Sequence, residues 1–301
     1  MRSKALHHFP QISFQGEEKL LWNSIHKKAY KNLPEERVRL QLVEYLIKEA
    51  GFSKHRISFE SPVKLPSDKS KSRTDLICYD EAFKPLLLVE CKAPEVALDA
   101  KVALQIARYN QQIKAPFLLV SNGFTDFWFS LKDETLSFLD EIPSTFQPSI
   151  QPDRNFEYWS IRGFAGKNSH PKTRTWITES CSALFNNSAH SARFFGFDGT
   201  SPELGLANYY QIFETDAHKR LAVSLSATPF GATRLNAVLN KEGENVALLS
   251  ISLDLVASEE LKNTILQSVS GFNHLDIKDE IGFSFDKEIG TYIHSISDLM
   301  E

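Results

Sequence analysis

Residues 72–92 read SRTDLICYDEAFKPLLLVECK, and this stretch decides the architecture. Two apolar runs, at 74–79 and 85–92, are joined by the five residues Asp80 to Lys84. So short a polar connection predicts an antiparallel strand pair. Along a strand alternate residues share a face, so Leu86, Leu88, Glu90 and Lys92 point one way and Leu87, Val89 and Cys91 the other. Glu90 and Lys92 then lie about 6.5 Å apart on one face, at ~3.3 Å rise per residue. A face that is apolar and then turns charged is costly unless the charges have partners. Asp75 interrupts the neighbouring strand in the same way.

The flanks extend the pattern. Residues 95–114 carry Leu98, Val102, Ile106, Tyr109 and Ile113 at helical spacing, with Gln105 and Tyr109 one turn apart. PFLLVSNG and TDFWFSL follow as two further strands. Upstream, Asn32 before Pro34, with Glu35 and Glu36 in the first turn and Gly51 as the stop, predicts a helix over 34–50. Its stripe is Val38, Leu42, Tyr45 and Leu46. Glu35 lies three residues before Val38 and is expected on the buried side, with Glu36 nearer solvent. Residues 11–33 read as a short strand or irregular lead-in, and 56–59 as a strand. The Lys/Ser/Pro-rich segment SPVKLPSDKSKS reads either as a solvated connection or as a DNA-facing loop bearing Lys64, Lys69 and Lys71.

Helix, hairpin, helix, strand, strand is an α/β pattern around a mixed central sheet. The proline-bearing segment DEIPSTFQPSIQPD is the expected boundary between a domain over 1–145 and an accessory domain over 151–301. In the second domain RLAVSLSA, TRLNAVLN and NVALLSISLDL alternate at period two. A helix is expected over 258–268, and EIGFSF and TYIHSI as further strands, giving a strand-rich α+β domain. Asn208-Tyr209-Tyr210 and Arg193-Phe194-Phe195 read as core or as a stacking surface, with core packing the commoner use of such aromatics.

Bulk properties narrow the function classes. The chain has 301 residues, 42% hydrophobic and 24% charged, with no apolar run long enough to span a bilayer. Its start lacks a secretory hydrophobic region, so a cytoplasmic location is expected. Cys78, Cys91 and Cys181 show no metal-binding spacing, and Cys78 and Cys91 fall in strands where a small apolar thiol packs. Residues 1–150 hold 21 Lys and Arg against 19 Asp and Glu, and residues 151–301 hold 13 against 19. No broad basic surface results, so nucleic-acid contact must come from local patches, and the N-terminal half is the better candidate. No GxxxxGK[ST] phosphate loop is present, so no ATP-driven motor is visible in these residues.

Two carboxylates converging at a sheet edge make a hard oxygen site suited to Mg²⁺ or Mn²⁺, which the carbonyl of Cys91 is placed to complete. Such a metal polarises a phosphodiester and lowers the pKa of a bound water. Lys92 beside it would orient that water and stabilise developing charge, and Glu35 is placed to reach the same point. As a bare pattern, Asp…Glu-x-Lys is more often a surface salt-bridge set. Its setting in two strongly apolar strands favours a site.

LPEERVR, SRTDLICYD, LLLVECKAPE, QIARYN, LLVSNG and FLDEIP occur in this order within a region of about residues 20 to 142. That region resembles the type I restriction enzyme R-protein N-terminal family of the PD-(D/E)xK nuclease superfamily, and the Gln105-x-x-x-Tyr109 element resembles its RecB-like branch. The resemblance implies a restriction-endonuclease-like core and Mg²⁺-dependent DNA cleavage. It implies Asp75 and Glu90 as metal ligands, Lys92 as catalytic lysine, Glu35 or Glu36 as the helix acid, and Gln105 and Tyr109 as supporting residues; Glu36 and Arg73 are further supporting candidates. DNA is the implied partner, with a restriction-modification or helicase subunit beside it; a homodimer is left open. The rival reading keeps the fold but not the activity, as a nucleic-acid-binding or regulatory module that recruits a partner.

Overall fold

A computed structural model describes residues 1–63, 72–186, 191–197, 206–268 and 271–301. Lys64, Lys69 and Lys71 of the suggested DNA-facing loop lie outside the described residues. The chain divides into two compact units, Met1–Gln11 with Leu20–Pro152, and Ile12–Lys19 with Asp153–Glu301.

Strand β1 (Gln11–Gln15) belongs, but for Gln11, to the second unit, while β2 (Glu18–Asn23), from Leu20 on, and β3 (Lys28–Tyr30) belong to the first. The lead-in is thus strand rather than irregular. Helix α1 (Pro34–Lys48) follows, capped by Leu33 with no side-chain bond. Asn32, expected as the cap, instead takes a hydrogen bond from Arg37 at 2.9 Å. Next come β4 (Ile57–Val63), β5 (Ser72–Tyr79), β6 (Pro85–Cys91), α2 (Ala100–Ile113), β7 (Phe117–Ser121), β8 (Asp126–Lys132) and β9 (Thr135–Leu139). They build a six-stranded sheet in the order β4-β5-β6-β7-β8-β9. Only β6 and β7 pair in parallel, as a crossover through α2 requires.

Helix α2 starts five residues later than its spacing suggests. The Asp99 side chain accepts from the amides of Lys101 and Val102 and sets the first turn there. Two cores flank the sheet. Leu76, Cys78, Leu87, Val89 and Cys91 pack with Val38, Leu42, Tyr45 and Leu46 of α1. Ile77, Leu88, Leu118 and Val120 pack with Val102 and Ile106 of α2. Strand alternation thus divides β6 between two helices. The three thiols, Cys78, Cys91 and Cys181, are all free and buried, and burial pushes each well above its ordinary pKa.

The second unit carries a seven-stranded antiparallel sheet. Its elements are α3 (Phe156–Ser160), α4 (Arg174–Phe185), β10 (Arg193–Phe195), β11 (Asn208–Asp216), β12 (Lys219–Ala227), β13 (Thr233–Lys241), β14 (Glu244–Ser252), α5 (Leu253–Ala257), β15 (Thr264–Ser268), β16 (Gly271–Leu275), α6 (Ile277–Ile281) and α7 (Ile293–Leu299). The three alternating runs form β12 to β14. The helix expected over 258–268 is absent: Glu259 and Lys262 turn the chain at positive φ, and β-branched Thr264 and Ile265 enter a strand. EIGFSF and TYIHSI are not strands. Their apolar residues Phe283, Tyr292, Ile293 and Ile296 are buried in turn and helix instead.

Of the aromatic pairs, the two tyrosines are core and the two phenylalanines are half-buried. Phe194 faces Tyr209 and Arg193 faces Tyr210 across β10 and β11, and both tyrosines are buried. Among the described residues, no helix is long and apolar enough to cross a membrane.

Candidate active site

The site forms where the β5–β6 hairpin leaves regular pairing. Register runs through Cys78↔Leu87, Ile77↔Leu88 and Leu76↔Val89. One step further, Asp75 turns its carboxylate to the strand backbone, and Oδ2 accepts the Cys91 amide at 2.6 Å. On the other side of β5, pairing skips from Phe59↔Leu76 to Ser61↔Thr74. The register is unchanged across this step, and the pair it passes over is Glu60, at φ +51°, and Asp75.

Arg39 of α1 reaches this point and collects four acids. Its Nη2 lies 2.7 Å from Asp75 Oδ1 and 3.3 Å from Glu35, while Nη1 lies 2.8 Å from Glu36 and 3.3 Å from Glu60. The guanidinium also sits 5.2 Å from the centre of the Phe59 ring. Burial opposes the charge of Arg39, but Asp75, Glu36 and Glu60 outweigh it and hold its pKa above the usual range.

Glu90 forms the second focus. Its Oε1 accepts from Lys92 Nζ at 2.7 Å and from Gln105 Nε2 at 2.8 Å. Both bonds land on one oxygen, which leaves Oε2 for another ligand. Gln105 Nε2 also lies 3.4 Å from the Tyr109 hydroxyl, so α2 braces Glu90 through a short chain of polar contacts. The main-chain amide of Lys92 donates to Ser121 O at 2.8 Å and ties this end of β6 to β7.

The electrostatics are those of a site short of positive charge. Glu90 is pushed up to about 7, by burial first and then by the charge of Asp75, with Lys92 opposing. Burial also raises Asp75, against Arg39, the Cys91 amide and Lys92. Burial likewise raises Glu36, with Arg39 opposing. Among the described residues, five carboxylates (Glu35, Glu36, Glu60, Asp75 and Glu90) are linked to three cations, Arg39, Lys92 and, at 3.9 Å from Glu60, Arg73.

Among the described residues, no group of three or more His, Cys, Asp or Glu side chains is arranged to hold a metal. The donor set fits Mg²⁺ nonetheless. That ion is held by one or two carboxylates, with water and phosphate oxygens completing its shell.

The sequence-derived residues fall as follows. Asp75, Glu90, Lys92 and Gln105 are brought together, with Tyr109 touching Gln105. The expected faces of Glu35 and Glu36 are reversed: the Glu35 side chain is 47% exposed and that of Glu36 only 10%. Helix α1 is enclosed on more than its Val38–Leu42 stripe, and Arg39, Leu40 and Val43 on the Glu36 side are buried as well. Arg73 is largely exposed and lies 3.9 Å from Oε2 of Glu60. Cys91 contributes its amide to Asp75, while its side chain packs in the α1 core. Arg39 and Glu60 escape a reading by motif. For Arg39 the available signal is its spacing of three and four from Glu36 and Glu35. Glu60 has none, because its positive φ and the break in pairing opposite Asp75 leave no mark in the pattern.

Fold and site together give an α/β core with a mixed six-stranded sheet and a buried acid–lysine cluster at the end of its β5–β6 hairpin. Residues 34–143, from α1 through β9, match the family model described as the type I restriction enzyme R protein N terminus. No curated protein matches the chain.

Proposed function

We propose that this chain is a metal-dependent DNA endonuclease of the restriction or defence type, hydrolysing phosphodiester bonds. The observation that carries the reading is the pairing of two buried carboxylates, Asp75 and Glu90, with Lys92 inside a net deficit of positive charge. A site of that kind gains from binding a divalent cation and the phosphate it neutralises. The match to the R-protein N terminus supports DNA as substrate and a restriction-modification or helicase subunit as partner. A cytoplasmic location accords with such a role.

Asp75 and Glu90, with the Cys91 carbonyl, are the proposed ligands of Mg²⁺ or Mn²⁺. When bound, the metal supplies the charge that polarises the phosphate and acidifies an attacking water. Lys92 orients that water and offsets negative charge growing on the phosphoryl oxygens. Gln105 and Tyr109 hold Glu90 in line. Glu36 rather than Glu35 is the helix acid enclosed at the site, acting through Arg39.

The test is cleavage of plasmid and single-stranded DNA with Mg²⁺ or Mn²⁺, comparing wild type with Asp75→Ala and Lys92→Ala. Each variant is expected to lose at least about a hundredfold in rate, the scale of a lost transition-state contact. Cleavage that survives both substitutions sinks the site. DNA binding without cleavage by the wild type would favour the recruiting-module reading.

A further inference from the structure

We propose that Arg39 is a positioning residue of the metal site, holding the Asp75 carboxylate in the metal-free protein and releasing it when a divalent cation binds. The inference rests on the nuclease reading above and concerns a residue outside its acid–lysine set. Both oxygens of Asp75 are already engaged, Oδ2 by the Cys91 amide at 2.6 Å and Oδ1 by Arg39 at 2.7 Å. The amide is part of the strand and stays. A cation that takes Asp75 therefore competes with Arg39 for the other oxygen.

The fork of Arg39 is built for such an exchange. Nη1 is anchored on Glu36 and Glu60, and the guanidinium lies over Phe59. Only Nη2, shared between Asp75 and half-exposed Glu35, has to shift. Two buried like charges would repel if left bare, and removing one partner of a buried pair is strongly destabilising. Arg39 thus keeps the Asp75 carboxylate aimed while the metal is away. The cost falls on affinity, since a ligand pays for every conformer that cannot receive it.

The experiment is calorimetric titration of Mn²⁺ into EDTA-treated full-length protein, with thermal melting in EDTA alongside, for wild type, Arg39→Met and Arg39→Lys. Arg39→Met is expected to melt lower without metal yet to bind Mn²⁺ roughly tenfold tighter, the factor for a competent conformer populated about one part in ten. Arg39→Lys, which keeps the charge but loses the fork, is expected to bind a few-fold tighter and reads the same competition if the methionine variant does not fold. A residue that merely braced the fold would lower the melting temperature and leave affinity unchanged or weaker. That result in both variants overturns the proposal for Arg39 while wild-type binding leaves the nuclease reading standing. Wild type that binds no Mn²⁺ and cleaves no DNA removes both.

Discussion

The side-chain amide of Gln105 donates to Oε1 of Glu90 at 2.8 Å, and the same oxygen takes the Lys92 ammonium at 2.7 Å. Helix α2 therefore sets the rotamer of a carboxylate on β6. Supporting bonds of this kind are worth about 10–100-fold in metal affinity or activity. Gln105→Ala is expected to lower kcat for DNA cleavage within that range while the melting temperature moves little. Gln105→Glu, which sets a like charge against Glu90, should be the more damaging change. Steady-state cleavage rates beside thermal melts separate the two effects.

Asp126 predicts a pH dependence of stability. Burial raises its carboxyl to about 6, and Ser121, Ser3, the Lys4 amide and the N-terminal amine offset that burial only in part. The folded carboxyl keeps its proton to higher pH than the unfolded one. Between about pH 4 and 6 the folded state thus binds more protons, so stability falls as pH rises through that window. Asp126→Asn should be more stable than wild type above pH 7, by at most ~3 kcal/mol, with the gap closing near pH 4. Urea midpoints at pH 4.5 and 7.5 test the trend, and a difference that does not change with pH refutes it.

The end of α2 is held by one residue. Asn110 donates to Ala115 O at 2.9 Å and accepts the Ala115 amide at 2.8 Å, both buried. Asn110→Ala leaves two buried backbone groups without partners, a loss of ~2 kcal/mol or more. Lys114, between them, sits at φ 59° and ψ 34°. Lys114→Gly should relieve the left-handed strain and gain up to about 1 kcal/mol. Opposite shifts in denaturation midpoint are the expected outcome.

In the second unit, a Cβ placed on Gly166 would lie 2.1 Å from Gly231 O and 2.3 Å from Ala232 O. Both are backbone atoms and cannot swing aside. The same loop is pinned by Gly166 N to Thr233 Oγ1 at 2.8 Å and Asn168 N to Gly231 O at 2.8 Å. Gly166→Ala is therefore expected to cost at least ~3 kcal/mol, the upper end of overpacking. A melting temperature within a degree or two of wild type would contradict the packing.

How far these features can be read from the chain depends on where their information lies. The β5–β6 hairpin, α1 and the grouping of Asp75, Glu90, Lys92 and Gln105 are local. Period-two and helical spacing placed them on shared faces, and short connections joined them. Glu36 and Arg39 depend on what encloses α1 from other elements, so a stripe drawn through Val38 and Leu42 assigned the wrong glutamate to the interior. In the C-terminal stretch, Phe283, Tyr292 and Ile296 show an apolar pattern too short for periodicity to separate strand from helix. Packing decided it.

The buried thiols give the two units separate clocks. Cys78 and Cys91 lie in the first unit and Cys181 in the second, all enclosed and with pKa values raised by burial. An alkylating reagent attacks only the thiolate, so none of the three is modified until its surroundings open. Peptide-resolved labelling of the native protein would then time the breathing of each unit without a probe being added. Because Cys91 stands one residue from both Glu90 and Lys92, its rate would also register whatever tightens the acid–lysine end of the sheet.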